Sequence, residues 1–150
     1  MRVSLIPSTD PGDYPFVHRI RTRFAETDAM GIIHHGAYAP YLEEARAELL
    51  RSGGYPYDRV RAEGIDFAVL ELYVRYRQPL RFADDVDIWV GSGKLTRTTF
   101  QVAYLLQVDG ETRSTAVTVH GAVDPTGRPV RLPSFLADIV PVGDPVATVP

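Results

Sequence analysis

One stretch, residues 23–50, decides the fold and reads RFAETDAMGIIHHGAYAPYLEEARAELL. Its first half places a carboxylate, Asp28, and two adjacent histidines in a segment that also holds two glycines. Its second half repeats apolar residues at helical spacing, which predicts an amphipathic helix. The residues of this apolar stripe are Tyr38, Tyr41, Leu42, Ala45 and Leu49. The stretch therefore predicts a polar loop that leads directly into a long helix.

Proline and glycine set the limits of this helix. Pro40 fits only the first helical turn, where backbone N–H groups have no partner within the helix. The helix should therefore begin between Ala37 and Pro40, and towards the later end of that window because proline disfavours helical angles at Ala39. Residues 52–54, Ser-Gly-Gly, are expected to end the helix.

The sequence on either side of this stretch predicts five strands and two short helices. Alternating apolar and polar residues indicate strands, and Asp109-Gly110 is typical of a tight hairpin between the last two of them. The strands are predicted at 16–24, 67–80, 86–95, 98–108 and 113–123, and the short helices at 57–63 and 133–140. This order predicts an α+β fold in which the long helix covers one face of a sheet. We expect one domain over residues 1–150, with an extended segment at 1–15 and a loose tail at 141–150.

Composition excludes several classes of function. Lys and Arg number 16 against 19 Asp and Glu, and this net charge of −3 disfavours general binding to nucleic acid. Without cysteine, the chain has no disulfide, no cysteine-bound zinc and no thiol nucleophile. No apolar run approaches the roughly 20 residues of a membrane-spanning helix, and no secretory leader is recognisable. The expected location is the cytoplasm.

Residues 28–38, DAMGIIHHGAY, followed by Glu43, Ala45-Arg46 and Glu48, resemble the signature of the hotdog-fold acyl-CoA thioesterases. The similarity is to the 4-hydroxybenzoyl-CoA thioesterase-like group, which includes the Tol-Pal-associated bacterial enzymes, and it covers roughly residues 16–140. It implies a hotdog fold, a five-stranded antiparallel sheet wrapped around one long helix. It also implies a homodimer or homotetramer whose active sites lie at subunit interfaces.

The same resemblance implies a reaction, the hydrolysis of an acyl- or aroyl-CoA to free acid and coenzyme A, without a metal or cofactor. Asp28 would be the catalytic carboxylate, either as nucleophile or as general base for water. Thioester hydrolysis places negative charge on the carbonyl oxygen, and a backbone N–H at the start of a helix lies at the positive end of the helix dipole. By its position in the motif, the N–H of His35 is the candidate oxyanion donor, assisted by that of Gly36.

Further residues of the motif are predicted to shape the substrate pocket. Gly31 and Gly36 allow backbone angles that a side chain would penalise. His34 stands where the family commonly has an aromatic residue, and this departure affects the polarity of the acyl pocket. Tyr38 resembles a pocket-facing aromatic of the family, although its place in the apolar stripe fits a core residue equally well.

Charged residues outside the loop supply the remaining candidates. Glu43 is the second choice for a catalytic carboxylate, and its spacing from Arg46 would also allow a surface ion pair. Lys94 and Arg97, between two predicted strands, are candidates for binding the phosphates of coenzyme A, although ordinary solvated charges would look the same. His18 and His120 lie far from His34 and His35 in sequence, so a zinc site is not expected.

Two other functions fit the same pattern. A non-hydrolytic hotdog module would bind acyl-CoA or acyl carrier protein without turnover. A hotdog dehydratase would need a histidine and an acidic partner, for which His35 and Glu43 are the candidates. The acyl group, the choice between coenzyme A and acyl carrier protein as its carrier, and the choice between dimer and tetramer stay open.

Overall fold

The computed structural model describes residues 3–139 and 147–148, and for Lys94, Ala147 and Thr148 the backbone alone. These residues form seven strands and three α-helices, with short 3-10 turns between them. The strands are β1 (Leu5–Ile6), β2 (Phe16–Arg21), β3 (Asp66–Tyr76), β4 (Asp85–Leu95), β5 (Thr99–Val108), β6 (Glu111–Val123) and β7 (Ala147–Thr148). The helices are α1 (Tyr38–Ser52), α2 (Tyr57–Ala62) and α3 (Leu136–Ile139).

The main sheet has five antiparallel strands in the order β2-β4-β5-β6-β3. The hairpin between β5 and β6 turns at Asp109 and Gly110, whose φ angles of 50° and 78° are left-handed, as the predicted Asp-Gly turn requires. β2 and β3 form the two edges of this sheet. The five strands and the long helix confirm the predicted α+β hotdog fold.

The core lies between α1 and the sheet face that the helix covers. Alternate residues of β4 and β5, such as Ile88 and Tyr104, are fully buried there, and the helix contributes Leu42, Ala45 and Leu49. Each large apolar side chain buried in this way stabilises the fold by roughly 1.5–3 kcal/mol. Ala45 has no exposed surface, and its small side chain lets the helix lie close to the curved sheet. The helix is thereby held against the sheet along its buried side.

The helix begins within the predicted window but earlier than expected. A 3-10 turn, His35–Ala37, precedes it, and α1 starts at Tyr38, so that Pro40 is its third residue. Proline is tolerated there because the N–H groups of the first turn have no helical acceptor. Gly54, with φ of 86°, follows the end of the helix in a left-handed conformation that favours glycine.

The N-terminal segment is more ordered than predicted. Instead of running extended over 1–15, the chain forms β1 and a 3-10 turn at Pro11–Asp13, and the side chain of Leu5 is buried. β1 pairs with β7, which comes from the segment predicted as a loose tail. The rest of that predicted tail, 141–146 and 149–150, lies outside the described residues. Among the described residues, no helix is long and apolar enough to cross a membrane.

Candidate active site

The loop that carries Asp28 is closed at its neck by backbone hydrogen bonds. Thr27 pairs with Ile33 as an isolated antiparallel bridge, and the Asp28 N–H donates to the Ile32 carbonyl at 2.9 Å. The Ile33 N–H also donates to the Leu80 carbonyl at 2.8 Å, which ties the loop to the segment after β3. Gly31 has a φ of 74°, so the turn inside this neck requires the glycine that the sequence places there.

Asp28 uses one carboxylate oxygen to stabilise its own turn. Its Oδ1 accepts a hydrogen bond from the Met30 N–H at 2.8 Å, and its backbone carbonyl accepts one from the Gly31 N–H at 2.9 Å. Within the described part of the chain, the other oxygen, Oδ2, has no hydrogen-bond or ionic partner. The carboxylate is half-buried, so its turn fixes its position while Oδ2 can still interact with a ligand.

The two histidines lie side by side at the start of the 3-10 turn, with ring centroids 4.0 Å apart. His34 caps the turn because its Nδ1 accepts a hydrogen bond from the Gly36 N–H at 2.9 Å. In this arrangement the Gly36 N–H is occupied. The His35 N–H, in contrast, donates to no group among residues 3–139 and 147–148. Of the two predicted oxyanion donors, only His35 has its N–H free.

A cavity of about 350 Å³ opens beside this loop. Its walls combine the loop, the start of α1 and the end of β3 with the segment after it. The lining residues are Asp28, Met30, Ile32, Ile33, His35, Tyr38, Tyr76, Arg77, Gln78 and Pro79. Most of these side chains are apolar or aromatic, which is typical of a small-molecule site with few polar groups. The structure therefore brings together Asp28, His35 and Tyr38 from the predicted site residues.

Tyr38 lies both in the core and at the cavity. It is a core residue, 3% exposed, and it also forms part of the cavity wall. Its ring packs edge to face against Tyr76 at a centroid distance of 5.0 Å. Burial raises the pKa of Tyr38 to about 12, opposed by a hydrogen bond with the Leu80 backbone. The phenol is therefore neutral at physiological pH and fixes the start of α1 against the end of β3.

Sequence reasoning missed the wall formed by Tyr76, Arg77, Gln78 and Pro79. The N–H groups of Arg77 and Gln78 both donate to the Arg113 carbonyl of β6, which fixes this turn in place. Arg77 is exposed, and its guanidinium pairs with no carboxylate in the described residues. The sequence indicates only that Pro79 ends β3. The pairing of β3 with β6, which the sequence does not display, is what places this end of the strand beside Asp28.

Glu43, Lys94 and Arg97 do not join this cavity within one chain. Glu43 lines a different groove, which lies between α1, α2 and the start of β3. Arg97 follows β4, at the end of the sheet where Thr99 pairs with Gly121 and Gly121 with Ala68. Eight steps along β3, from Ala68 to Tyr76, separate that end from the cavity by about 26 Å, at about 3.3 Å per step. Lys94 lies near the same end of β4, and its side chain is not described.

Two other side chains lie elsewhere than the sequence suggests. His34 does not line the cavity within one chain; its ring caps the turn instead. Arg46 does not pair with Glu43 on the helix surface, because its side chain is directed into the protein and lies beside the Tyr104 hydroxyl. Gly31 and Gly36 shape the loop backbone but do not themselves line the cavity.

Metal ligation requires several donor side chains to converge. In the part of the chain that the structure describes, no three His, Cys, Asp or Glu side chains are placed to hold a metal ion. His18 is instead paired with Glu44 at 2.8 Å, and His120 is buried.

Comparison with known proteins identifies related chains of the same architecture. The crystal structure of a hypothetical protein from Aquifex aeolicus is 36% identical, with a TM-score of 0.80 over 84% of this chain and 99% of that one. A DHNA-CoA thioesterase structure from Staphylococcus aureus is 30% identical, with a TM-score of 0.76 over 81% of this chain and 83% of that one. The acyl-CoA thioester hydrolase YbgC of Escherichia coli O157:H7 is 33% identical over 69 residues, which are 46% of this chain and 52% of YbgC.

Residues 22–140 match the family profile of the thioesterase-like superfamily, and this range contains the Asp28 loop, α1 and the whole sheet except β2. The match confirms the predicted family and the enzyme class that was predicted with it, thioester hydrolases. The family-wide reaction, hydrolysis of a thioester, is supported by the same match. By sequence and by fold, this chain belongs to the thioesterase-like superfamily of hotdog proteins.

Proposed function

We propose that the protein is an acyl-CoA thioesterase that converts an acyl- or aroyl-CoA and water into the free acid and coenzyme A, with Asp28 as its catalytic carboxylate. The observation that carries this proposal is the cavity beside the loop. It combines an apolar wall with a carboxylate oxygen and a helix-start backbone N–H that are both unpaired among the described residues. These are the parts that hydrolysis of a thioester needs, namely a site for the acyl group, a nucleophile or base, and an oxyanion donor.

The position of α1 favours the stabilisation of negative charge on a substrate oxygen beside the His35 N–H. The 3-10 turn and the 15-residue helix after it direct their N–H groups towards the cavity side of the loop, where a helix carries partial positive charge. When the thioester carbonyl is attacked, its oxygen gains negative charge, which the His35 N–H would stabilise. The donor is fixed before the reaction begins, so little reorganisation is needed.

Asp28 can act by two routes. As a nucleophile, an oxygen of its carboxylate bonds to the acyl carbon, the C–S bond breaks, and coenzyme A leaves as a thiolate that takes up a proton. Water then hydrolyses the resulting mixed anhydride to the free acid and Asp28. As a general base, Asp28 instead takes a proton from water while the water oxygen attacks the same carbon; the C–S bond then breaks, and coenzyme A leaves as a thiolate that takes up a proton.

A second copy of the chain is proposed to pair with β3. This strand is an edge of the sheet, and it exposes a row of large apolar side chains, which are Val69, Leu70, Leu72, Tyr73 and Tyr76. A long apolar edge strand that lacks a partner is a site for strand pairing. We therefore propose a homodimer through β3, two of which can associate as a tetramer.

The dehydratase alternative receives no support from the geometry, because His35 and Glu43 line separate concave sites within one chain. The binding-module alternative has the same cavity and differs only in turnover. A module of that kind would bind an acyl-CoA or acyl carrier protein and release no thiol.

The proposal is tested by thiol release from a panel of aryl, short-chain and medium-chain acyl-CoA thioesters, with a 3-hydroxyacyl-CoA included. We expect thiol release with at least one member and no formation of a double bond. Binding of acyl-CoA without thiol release across the panel would favour the binding module. A single turnover in ¹⁸O-water then separates the two routes, because only the nucleophile route can place ¹⁸O in the carboxylate of Asp28.

A further inference from the structure

The N-terminal segment, residues 3–14, crosses the face of the main sheet that α1 does not cover. This segment, the strap, contains β1 and the 3-10 turn after it, and it precedes residue 22, where the match to the family profile begins. Successive side chains of a strand point to opposite faces of the sheet. On β5, Tyr104 belongs to the core under α1, whereas its neighbours Ala103 and Leu105 pack with the strap. The strap therefore covers the outer face of the sheet.

Two glycines of β4 form a socket for the strap. The Leu5 side chain lies over Gly93, where a β-carbon would overlap it, and the Tyr14 ring lies 3.2 Å from the position of a β-carbon on Gly91. Leu5 and Tyr14 are thereby 4% and 6% exposed. Glycine inside a strand often marks a place where another chain segment approaches the backbone closely. The shape of the sheet is thus matched to this strap.

Hydrogen bonds fix the strap in one register on the sheet. The Val3 N–H donates to Glu71 Oε2 at 3.0 Å, and the Ser4 N–H donates to Gln101 Oε1 at 3.0 Å. In return, Gln101 Nε2 donates to the Ser4 hydroxyl at 3.0 Å. These contacts reach β3 and β5, which lie on either side of β6 in the sheet. The strap is therefore bound by polar contacts as well as by apolar packing.

The face under the strap has the composition of an association surface. Its centre consists of Trp89, Ala103, Leu105 and Val117. These uncharged side chains would form an apolar patch if the strap left, and such patches mark sites of protein association. Asp87, on the same face of β4, is already paired with Arg19 at 2.8 Å. Two copies could therefore stack this face about 10 Å apart, around a two-fold axis, without opposing like charges at its centre.

We propose that the strap closes the outer face of the sheet against a second copy of this chain, and that release of the strap lets two copies associate through this face. Leu5 and Tyr14 cover the same apolar side chains that the second copy would cover. While the strap is bound, association is limited to other surfaces, such as the edge strand β3. This role of the strap does not depend on the reaction proposed at Asp28.

A reversible covalent lock tests the role of the strap in the full chain. The chain has no cysteine, and a β-carbon on Gly93 would lie 2.8 Å from Leu5 Cγ. The β-carbons of residues 5 and 93 thus come within about 4.5 Å, which suits a disulfide. The oxidised double variant Leu5→Cys/Gly93→Cys should keep the wild-type molecular mass in light scattering. Reduction should release the strap and double that mass, because unbonded sulfurs need more room than the socket provides.

The position of the strap can be followed independently of the mass. Trp89 is the single tryptophan of the chain, and it packs against the cluster that Leu5 and Tyr14 complete. Its fluorescence in dilute solution should change when the disulfide is reduced. Equal masses of the oxidised and reduced forms, with a Trp89 signal that shows release of the strap, would overturn the proposal.

A second pair of variants keeps the test decisive where the reduced strap stays in place. Leu5→Asp places a carboxylate in the apolar socket and should double the mass. Ile6→Asp is the matched control, because Ile6 is the next residue of β1 and is 50% exposed, and it should leave the mass unchanged. Wild-type mass in both variants, or the same increase in both, would overturn the proposal.

A charge on the covered face shows which surface the released chains use. Leu5→Asp combined with Ala103→Arg should return to the wild-type mass, because two copies would then oppose arginines at the centre of the contact. A mass that stays doubled would assign the association to another surface and overturn the proposal. Each comparison is a ratio to the wild-type mass, so pairing through β3 and thioester hydrolysis can fail without affecting it.

Discussion

Replacement of His35 by proline would remove the proposed oxyanion donor together with the imidazole, and no other backbone hydrogen-bond donor. The His35 N–H has no partner in the described residues, so no internal hydrogen bond is lost. His34, the residue before it, has φ of −60° and ψ of 140°, which is the extended conformation that a residue before proline adopts. His35 is the first residue of a 3-10 turn, whose φ values match the angle that proline fixes. The substitution should therefore preserve the loop.

The expected magnitude follows from the part that is removed. Loss of one oxyanion donor costs about 10²–10³ in kcat, or about 2.7–4 kcal/mol of transition-state stabilisation. Stability should stay the same or rise by about 0.4–1 kcal/mol, because proline restricts the unfolded chain. The assay is thiol release under substrate saturation, together with thermal unfolding of the same preparation.

His35→Ala is the matched control. Both variants lose the imidazole and its contact with the His34 ring, but only the alanine variant keeps the N–H. We expect His35→Ala to stay within a fewfold of the wild-type kcat, and His35→Pro to be at least a hundredfold slower than His35→Ala. Equal rates for a folded His35→Pro and His35→Ala would refute the role of the backbone donor.

Three further predictions address the cavity wall, the sheet edge and the buried histidine. Arg77→Ala should raise KM about fivefold with little change in kcat, because it removes a cavity cation that contributes up to about 1 kcal/mol to substrate binding. Arg75→Ala, within β3, should leave KM unchanged. Leu72→Glu places a charge on the proposed dimer edge, where Leu72 is 47% exposed. This variant should halve the molecular mass measured by light scattering. Val17→Glu, on the opposite edge strand, should leave that mass unchanged. An unchanged mass for Leu72→Glu would contradict pairing through β3. Because the folded state holds the pKa of His120 near 3 while the unfolded chain titrates near 6.5, stability should fall as pH drops below about 6.5. Measured by denaturant unfolding, the free energy of unfolding should fall by about 2 kcal/mol more in the wild type than in His120→Gln between pH 6.5 and pH 5. Equal losses in the two proteins would contradict this prediction.

The fold could be predicted because local patterns and tertiary packing agree along most of the chain. The alternation in β3 to β6, the Asp109-Gly110 turn and the apolar stripe of α1 each point to the element that forms. The predictions fail where contacts between residues distant in sequence determine the structure. Burial of Leu5 and pairing of β1 with β7 order a proline-rich segment that local sequence alone describes as extended.

The site was predictable only in its local part. Asp28, His35 and Tyr38 come from one continuous stretch, so a motif is sufficient to bring them together. Arg77 and Tyr76 join them through the register of β3 and β6, which the sequence does not display. Arg46 looked like a surface residue because helical spacing does not reveal the polar interior formed by Tyr104 and Thr118.

The measurement that tests the central claim most directly is the kcat of Asp28→Asn with the best acyl-CoA substrate. Asparagine keeps an oxygen that can accept the Met30 N–H, so the turn should persist while the charge is lost. If Asp28 is the catalytic carboxylate, kcat should fall by about 10²–10⁴ with nearly unchanged KM. A folded Asp28→Asn protein that retains the wild-type kcat would contradict the account.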